Sequence, residues 1–277
     1  MMPSMWTLDE THLPDSTQDQ VAARLIERGP CDAPQPLALF SGCQSAGRGS
    51  HGRAWELAAD GLALTCAWPL TDELAHLALT ARKPWPAYLA GVVLQAIEAE
   101  LGALGGLQIK WPNDLWLDRR KVGGLLVERR RLVGRWWWLI GLGLNGRWAG
   151  GACPPHLVAT GLFDAMGTAY DGHRVRDLAH PIASQVMTWL RRLEDCRTPE
   201  QRDVWLRQSM AVCHQRDGLK GHLVEVCMTD GQRMSGRAEG LADDGAFCLQ
   251  TETGLQRFHV GEARIVPLSQ SAGLEMS

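Results

Sequence analysis

Apolar residues recur with two different periods along this chain, and the change of period divides it into two parts. Continuous apolar runs, typical of buried strands, lie at residues 37–40, 61–68 and 107–109. Helical spacing predicts helices between Gln18 and Gly29 and at residues 86–104, 174–193 and 199–212. From residue 221 onward, alternation broken by Asp-Gly turns predicts short antiparallel strands. We therefore expect an α+β body at residues 1–214 and a small β-barrel or sandwich at residues 215–277.

The predicted helices carry apolar stripes and recognisable ends. The first stripe comprises Val21, Ala22, Leu25 and Ile26, and the stripe of the last helix comprises Val204, Trp205 and Met210. Pro86 stands in the first turn of the second helix, and Gly105 and Gly106 follow its end. Residues 15–18 cap the first helix, which explains them without any ligand. The same amides and hydroxyls also suit a polar ligand.

Two neighbouring strands of a predicted meander carry glycine pairs. Residues 121–128 contain Gly123 and Gly124, and residues 132–145 contain Gly141 and Gly143. Glycine inside a strand costs stability and marks a bulge or a place where something lies against the backbone. Two such strands side by side indicate a flat ligand face. Trp136, Trp137 and Trp138 lie in a row on the second strand, so at least one should face outward.

The stretch from Lys110 to Asp114 brings one cation and one carboxylate to the end of a strand. Pro112 fixes its own φ and favours an extended Trp111, so the corner should be sharp. An ordinary turn with solvated charges explains these five residues equally well, because Pro, Asn and Asp dominate turns.

A glycine- and arginine-rich segment follows the strand at residues 37–40. Three glycines, Gly47, Gly49 and Gly52, alternate with Arg48, Arg53 and His51. Glycines let successive amides point into one concavity, and arginines offer forked donors to phosphate and carboxylate oxygens. The ending of a P-loop is absent. A flexible basic surface loop and an RNA-binding tract remain alternatives.

Composition narrows the function classes. The 277 residues are 45% hydrophobic and 21% charged, with a net charge of −3, so no global basic field recruits nucleic acid or a membrane. We find no secretory signal and no apolar segment long enough to span a bilayer, and we expect a cytoplasmic protein. The eight cysteines form no Cys-x-x-Cys pair, so we interpret them as small, mostly buried apolar residues. We assign no metal site.

Together, the cations and the glycine faces suggest one chemistry. Joining a carboxylate to the α-phosphate of a nucleotide brings two anions together, and fixed cations with a metal ion offset their repulsion. A loop that closes over the pair would keep water from a reactive mixed anhydride.

Residues 44–55, 110–128 and 140–145 resemble the three characteristic blocks of biotin–protein ligases, and residues 15–17 resemble the first block of that family. The resemblance implies a mixed sheet flanked by helices, related to class II tRNA synthetases and lipoate ligases. It also implies a C-terminal barrel similar to an SH3 fold. The family reaction converts biotin and ATP-Mg²⁺ into biotinyl-5′-AMP and then acylates a lysine of a biotin carboxyl carrier domain of a carboxylase.

The resemblance also implies roles for individual residues. Those expected at biotin are Ser16, Thr17, Gln18, Gln44, Arg48, Gly49, Ser50, Lys110, Gly123, Gly124, Gly141 and Gly143. Those expected at ATP are Arg48, Arg53, Trp55, Lys110, Asn113, Lys121 and Asn145. Those expected to be catalytic are Arg48, Lys110, Asp114 and Lys121. Asp114 would orient or deprotonate the incoming lysine amine, or serve only the turn. A Lys110→Ala change is expected to spare the fold and cripple adenylate formation.

Three departures from the family pattern carry expectations of their own. Ser50 and His51 replace basic residues of the loop, so we expect the adenylate to be held less firmly. Equal leakage of adenylate from the wild type and a Ser50→Arg variant would contradict this. Gln18 replaces asparagine, which shifts the contacts to the ureido ring. Residues 261–264 fit the family's Gly-Glu block loosely, so we assign Arg264 no catalytic role.

The remaining expectations concern partners. The first block begins at Asp15, so we expect a ligase without the N-terminal DNA-binding domain of bifunctional relatives, and no operator binding. The strand of Trp136 to Trp138 is expected to form a sheet edge that pairs a homodimer or docks the carrier. A lipoate ligase and a non-enzymatic RNA-binding protein remain rivals.

Overall fold

The computed structural model describes residues 6–12, 14–80, 83–151, 153–155, 157–167, 172–259 and 263–268. The side chain of His51 and residues 260–262, on which two expectations rest, lie outside the described part.

A seven-stranded mixed sheet forms the body of the protein. Its strands are β1 (Thr7–Glu10), β2 (Leu37–Ser41), β3 (Asp60–Pro69), β4 (Leu107–Lys110), β5 (Asp114–Leu117), β6 (Arg120–Leu132) and β7 (Arg135–Arg147). The order is β1-β2-β3-β7-β6-β5-β4. The β1–β2 pair is parallel, and the other neighbours are antiparallel. The predicted mixed sheet is confirmed. Strand β1 was missed because its four residues are exposed or half-buried and show no apolar pattern.

Helices cover both faces of this sheet. They are α1 (Thr17–Arg28), α2 (Asp72–Thr80), α3 (Trp85–Leu101), α4 (Leu162–Met166), α5 (Ala179–Asp195) and α6 (Pro199–Gln215). Helix α1 packs through Val21 and Leu25 on Trp137. Helices α3 and α5 pack on the opposite face in the largest core cluster. The α+β class predicted from the sequence is therefore confirmed, with α2 and α4 as additions.

Several details of the predicted helices are wrong. Helix α3 ends at Leu101, and its cap is Gly102 with a φ of 85°, not the later glycine pair. It is buried on almost every side because helices α5 and α6 pack against it. Ile26 and Val204 are 57% and 45% exposed, so they do not belong to the packed stripes. In α6 the buried face includes Arg202, which pairs with Glu73 at 2.7 Å.

The three consecutive tryptophans lie inside the sheet. Strand β7 pairs with β3 on one side and β6 on the other, so the predicted sheet edge is wrong. Trp137 packs under α1, whereas Trp136 and Trp138 face the other core. The half-buried Trp136 lies beneath the Arg129 guanidinium, 4.2 Å from the ring centroid. The alternation expected of a strand is confirmed, but the docking role is not supported.

The C-terminal region is a five-stranded antiparallel sheet. Its strands are β8 (Leu223–Met228), β9 (Arg233–Leu241), β10 (Phe247–Thr251), β11 (Gly254–Phe258) and β12 (Ala263–Pro267). The order β11-β10-β9-β8-β12 leaves β11 and β12 as the two ends of an open sheet within the described part. Gly231 and Gly245 adopt φ of 88° and 81° in the predicted turns. The small β region is confirmed, and β12 is an addition.

The core of this small sheet is completed by the body. Trp111 and Trp116 join Val224, Phe247 and Ile265 in one buried cluster. Helix α6 ends at Gln215, next to the predicted boundary of 214 and 215, which remains a prediction. The two regions therefore share apolar core at the corner of residues 110–114.

Cysteine burial and membrane topology were also predicted. All eight cysteines are free, but three are buried, two are exposed and three are half-buried, so "mostly buried" was too strong. Within the described chain, no helix has the length and apolar character that a bilayer crossing requires.

Candidate active site

A cavity of about 300 Å³ lies between α1, the glycine faces of β6 and β7, and the Gly/Arg loop. It unites segments that are far apart in sequence. The predicted site residues that line it are Ser16, Thr17, Gln18, Gln44, Arg48, Gly49, Ser50, Arg53, Trp55, Asn113, Lys121, Gly124, Gly141, Gly143 and Asn145. Lys110, Asp114 and Gly123 do not line it.

The start of α1 forms one wall of this cavity through tertiary hydrogen bonds. Ser16 is the N-cap residue, but its side chain makes no capping bond, so capping alone does not explain it. The Thr17 amide donates to Gln44 Oε1 at 3.0 Å, and Thr65 Oγ1 donates to Thr17 Oγ1 at 2.9 Å. Gln18 Nε2 donates to the carbonyls of Leu126 and Leu139 at 3.1 and 3.2 Å. These bonds tie the helix start to the sheet.

Glycines leave room for this wall and for the loop. A Cβ on Gly141 would lie 3.0 Å from Gln18 Cδ, and one on Gly143 would collide with the indole of Trp55. A Cβ on Gly124 would lie 3.2 Å from Lys121 Nζ. Gly123 faces Leu115 and Leu144 instead, because alternate residues of a strand point to opposite faces. The expected role of Gly123 at biotin therefore has no geometric support.

The Gly/Arg loop folds back on itself over the glycine face. The Gly49 amide donates to the Arg53 carbonyl at 2.7 Å, and the Trp55 amide donates to the Gly47 carbonyl at 2.8 Å. The Trp55 ring then lies against Gly143, with Lys121 Nζ at 5.0 Å from its centroid. Trp55 thus packs in the closed loop, as the resemblance implied.

The two arginines of the loop are already engaged. Arg48 bonds both oxygens of Glu128 at 3.2 Å and Asp19 Oδ1 at 3.0 Å. Arg53 donates to the carbonyl and hydroxyl oxygens of Ser50 at 3.3 and 3.2 Å. Sequence reasoning expected both guanidiniums to face anionic substrates and did not identify Asp19 or Glu128.

Asp114 lies between the two predicted lysines. Its Oδ1 is 2.6 Å from Lys121 Nζ, and its Oδ2 is 3.6 Å from Lys110 Nζ. Burial lowers the pKa of Lys110, Asp114 opposes that shift, and Lys121 and Arg264 add to the lowering. Lys121 is therefore the lysine that reaches the cavity, while Lys110 lies behind Asp114 beside Trp116, at 5.5 Å from its ring.

Asn113 and Asn145 line the cavity, and their side chains also form hydrogen bonds with backbone groups of neighbouring segments. Asn113 Nδ2 donates to the Leu125 carbonyl at 2.8 Å, and Asn145 Oδ1 accepts from the Ala58 amide at 3.1 Å. Asn113 thereby fastens the corner to β6, and Asn145 fastens the end of the loop to β7.

One lining segment joins the cavity through a short parallel bridge to β6. The Lys121 amide donates to the Val158 carbonyl at 3.2 Å, and the Thr160 amide donates to the Lys121 carbonyl at 2.8 Å. Leu157 and Ala159 consequently line the cavity. No local pattern distinguishes this short parallel bridge from an ordinary loop.

Comparison with known proteins places this geometry in a family. Residues 32–145 match the Biotin/lipoate A/B protein ligase family, and residues 221–264 match the Biotin protein ligase C terminal domain. The chain is 26% identical over 245 residues to a biotin–[acetyl-CoA-carboxylase] ligase of Mycobacterium tuberculosis, covering 87% of this chain and 82% of that protein. It is 29% identical over 223 residues to the same kind of ligase from Paracoccus denitrificans, covering 77% and 83%.

Solved structures agree on the fold. A biotin protein ligase from Aquifex aeolicus, in complex with biotin and ATP, superposes with a TM-score of 0.67 at 19% identity. That match covers 95% of this chain and 97% of the Aquifex chain.

The mixed sheet with its loop-covered cavity is thus that of a cofactor–protein ligase catalytic domain. Because residues 32–145 match the Biotin/lipoate A/B protein ligase family and residues 221–264 match the Biotin protein ligase C terminal domain, the chain belongs to the biotin protein ligase family.

Proposed function

We propose that this protein activates biotin with ATP as biotinyl-5′-AMP and transfers the biotin to a lysine of a biotin carboxyl carrier domain of acetyl-CoA carboxylase. The observation that carries the proposal is the cavity itself, where Lys121 and the glycine face lie beneath one closed loop. The names of the similar ligases from Mycobacterium and Paracoccus support the reaction and its carboxylase acceptor.

The first step needs charge compensation. The biotin carboxylate oxygen attacks the α-phosphorus of ATP, the bond to the β-phosphate oxygen breaks, and pyrophosphate leaves. Two unit negative charges at about 4 Å repel by about 4 kcal/mol at an effective dielectric constant of about 20. The Lys121 ammonium, held by Asp114 at 2.6 Å, supplies a fixed cation at the cavity wall. Asp114 therefore acts as a positioning residue for Lys121.

The second step needs an amine and protection from water. The neutral lysine amine of the carrier attacks the acyl carbon of the mixed anhydride, the bond from that carbon to the phosphate oxygen breaks and AMP leaves, and the nitrogen releases one proton to solvent as the amide forms. The loop of residues 47–55, with Trp55 against Gly143, covers the cavity and would keep water from the anhydride.

Mg²⁺ is part of the proposal only as the companion of the ATP phosphates. Among the described residues, no group of three metal-ligating side chains comes together. Glu56 is the one carboxylate residue in the described cavity lining, and Asp114 is engaged by lysines. This donor set does not build a metal site from protein side chains alone. Cytoplasmic location and pairing of two chains likewise remain expectations.

A lipoate–protein ligase is the runner-up, because the match over residues 32–145 is to a family that includes both kinds of ligase. The match of residues 221–264 to the biotin ligase C-terminal domain favours biotin. The RNA-binding alternative needs an exposed basic loop, whereas Arg48 is bound to two carboxylates.

One assay tests these alternatives. The full chain is incubated with ATP-Mg²⁺, a carrier domain and either radiolabelled biotin or radiolabelled lipoate, and the label on the carrier is measured. We expect label from biotin only. Label from lipoate alone would transfer the proposal to the runner-up, and no label from either acid would reject the ligase proposal.

A further inference from the structure

The Gly/Arg loop is attached to the body by a cluster of four charged side chains that lies at the edge of the cavity. Two guanidiniums, Arg48 and Arg130, share two carboxylates, Asp19 and Glu128. Arg130 bonds Glu128 Oε2 at 2.7 Å and Asp19 Oδ1 at 3.0 Å. The cluster carries no net formal charge, and it joins the loop to the first turn of α1 and to β6.

The bonds of Arg48 decide what its guanidinium can do. Both terminal nitrogens are bonded to carboxylates, and Nε is buried without a partner. These bonds use three of the five N–H groups and leave only one Nη1 N–H and the buried Nε. A carboxylate or phosphate that takes the forked Nη1 and Nη2 donors would therefore displace Glu128 or Asp19, and the displaced carboxylate would face the ligand with like charge. The arrangement therefore opposes direct use of Arg48 as a ligand for anions.

The other attachments of the loop lie at its two ends, where the Ser45 and Ala46 amides donate to the Pro14 and Asp15 carbonyls and Trp55 packs against Gly143. Its own hydrogen bonds, between Gly49 and Arg53 and between Gly47 and Trp55, set its internal shape but not its place on the body. Glycine-rich backbone loses much conformational entropy when it is ordered. The Arg48 guanidinium donates two hydrogen bonds to the two carboxylate oxygens of Glu128, which lies 80 residues away in sequence. This bidentate contact fixes both the position and the orientation of Arg48 on β6.

We infer that Asp19 and Glu128 are positioning residues that hold the loop over the cavity through Arg48, and that Arg48 acts by placing the loop rather than by binding the substrate anions. The inference rests on the proposed ligase function. In terms of the proposed reaction, this cluster sets how firmly biotin and the adenylate are enclosed, while Lys121 supplies the charge at the reacting atoms.

A double-mutant cycle separates tethering from direct contact. Arg48→Leu, Glu128→Gln and the double variant are assayed for adenylate formation as biotin concentration varies. Tethering predicts that each single variant raises KM for biotin by about three- to tenfold, that kcat changes little, and that the double variant is no worse than Arg48→Leu. A large loss in Arg48→Leu with full activity in Glu128→Gln would overturn the inference, because Arg48 would then act without Glu128.

A second measurement does not depend on turnover. Arg53 lies exposed in the loop, so trypsin cleavage after it reports how often the loop leaves the body. Intact-mass analysis should show faster cleavage after Arg53 in Arg48→Leu and Glu128→Gln than in the wild type. Unchanged cleavage in both variants would overturn the inference.

A matched control comes from the same helix. Arg24 and Asp9 form a partly exposed pair at 2.8 Å that does not touch the loop. Asp9→Asn should leave both KM and cleavage after Arg53 unchanged, and a change equal to that in Glu128→Gln would contradict a specific tether. If the wild type forms no adenylate, the ligase proposal fails, while the cleavage rates still test the tether.

Discussion

On one side of the cavity the Gly/Arg loop is held by charges that water can reach, whereas on the other side the corner of residues 110–114 is held by buried tryptophans. The Arg48 side chain is 36% exposed, and Trp111 is 2% exposed. Trp111 packs on Phe247 of the C-terminal sheet and donates from Nε1 to the Gly245 carbonyl at 3.1 Å.

The difference matches what each wall must do. A loop that admits and releases ligands needs attachments of modest strength, and partly exposed ion pairs contribute only about 0.2–1 kcal/mol each. A corner that fixes the position of Asp114 must not move, and burial of large aromatic side chains is the stronger means. Because salt screens exposed charges but not apolar contacts, added salt should loosen the loop and leave the corner in place.

The largest expected effect is on the corner. Trp111→Ala should lower the free energy of unfolding by about 3–5 kcal/mol, since it removes a buried indole and its hydrogen bond. Urea unfolding followed by circular dichroism measures this. The half-buried Trp136 serves as the control, and Trp136→Ala should cost clearly less. Equal losses of unfolding free energy in the two variants would show that Trp111 stabilises the protein no more than Trp136 does.

The second largest effect is expected on the rate of adenylate formation when Lys110 or Lys121 is replaced. Lys121→Met should lower the rate of adenylate formation by about 10²–10³, the usual cost of one fixed donor at a developing charge. Lys110→Met should have a smaller effect, because Asp114 separates Lys110 from the cavity. Pyrophosphate release at saturating biotin and ATP gives both rates. A greater loss in Lys110→Met would restore the role expected from the resemblance.

The contact between loop and glycine face can be tested by adding one methyl group. Gly143→Ala places a Cβ against the Trp55 indole, and overpacking of this kind costs about 1–3 kcal/mol. We expect a rise in KM for biotin of about tenfold. Gly105→Ala is the matched control, because a Cβ added at Gly105 would have no atom within 4 Å, and no effect is expected. An unchanged KM in Gly143→Ala would show that Trp55 moves aside freely.

The smallest effect concerns the junction with the C-terminal sheet. Burial raises the pKa of Asp217 above its ordinary 3.8, against the opposing Leu219 and Lys220 amides. The folded state therefore binds this proton more tightly, and the free energy of unfolding falls as pH rises from 3.8 through the raised pKa. Asp217→Asn should remove that fall in urea titrations between about pH 4 and pH 7.

Asp244 provides a control of opposite sign. Partial burial raises the pKa of Asp244, but the Ala246 amide and Arg257 outweigh it, so the pKa lies below its ordinary value. Its contribution to stability is present above the unfolded pKa and is lost as pH falls, so Asp244→Asn should flatten the acid limb instead. The same pH dependence in both variants would contradict the assignment.

Sequence patterns predicted the parts that rest on local information. Runs of apolar residues identified β2, β3 and β4, and the Asp-Gly turns identified the meander of the C-terminal sheet. The glycines of β6 and β7 indicated the ligand face because a missing side chain is visible in sequence. Gly123 lies on the opposite face, against Leu115 and Leu144, and the face on which each glycine lies depends on the pairing register.

The parts that were missed depend on distant partners. Asp19 and Glu128 lie 29 and 80 residues from Arg48, so no local spacing reveals that they bind it. Trp136 to Trp138 were assigned to an edge because an apolar strand gives no sign of which strands flank it. Strand β1 was missed because its four residues are exposed or half-buried and show no apolar pattern, and it is defined by its pairing with the distant β2.

The partnership between Trp111 and the C-terminal sheet has a consequence for the ribosome-bound chain. The partners of this hydrogen bond are 134 residues apart, so Trp111 emerges long before Gly245. At about 5–20 residues per second, synthesis of that interval of 134 residues takes about 7 to 27 seconds. During this time Trp111 and Trp116 lack the apolar partners that the C-terminal sheet supplies in the folded protein.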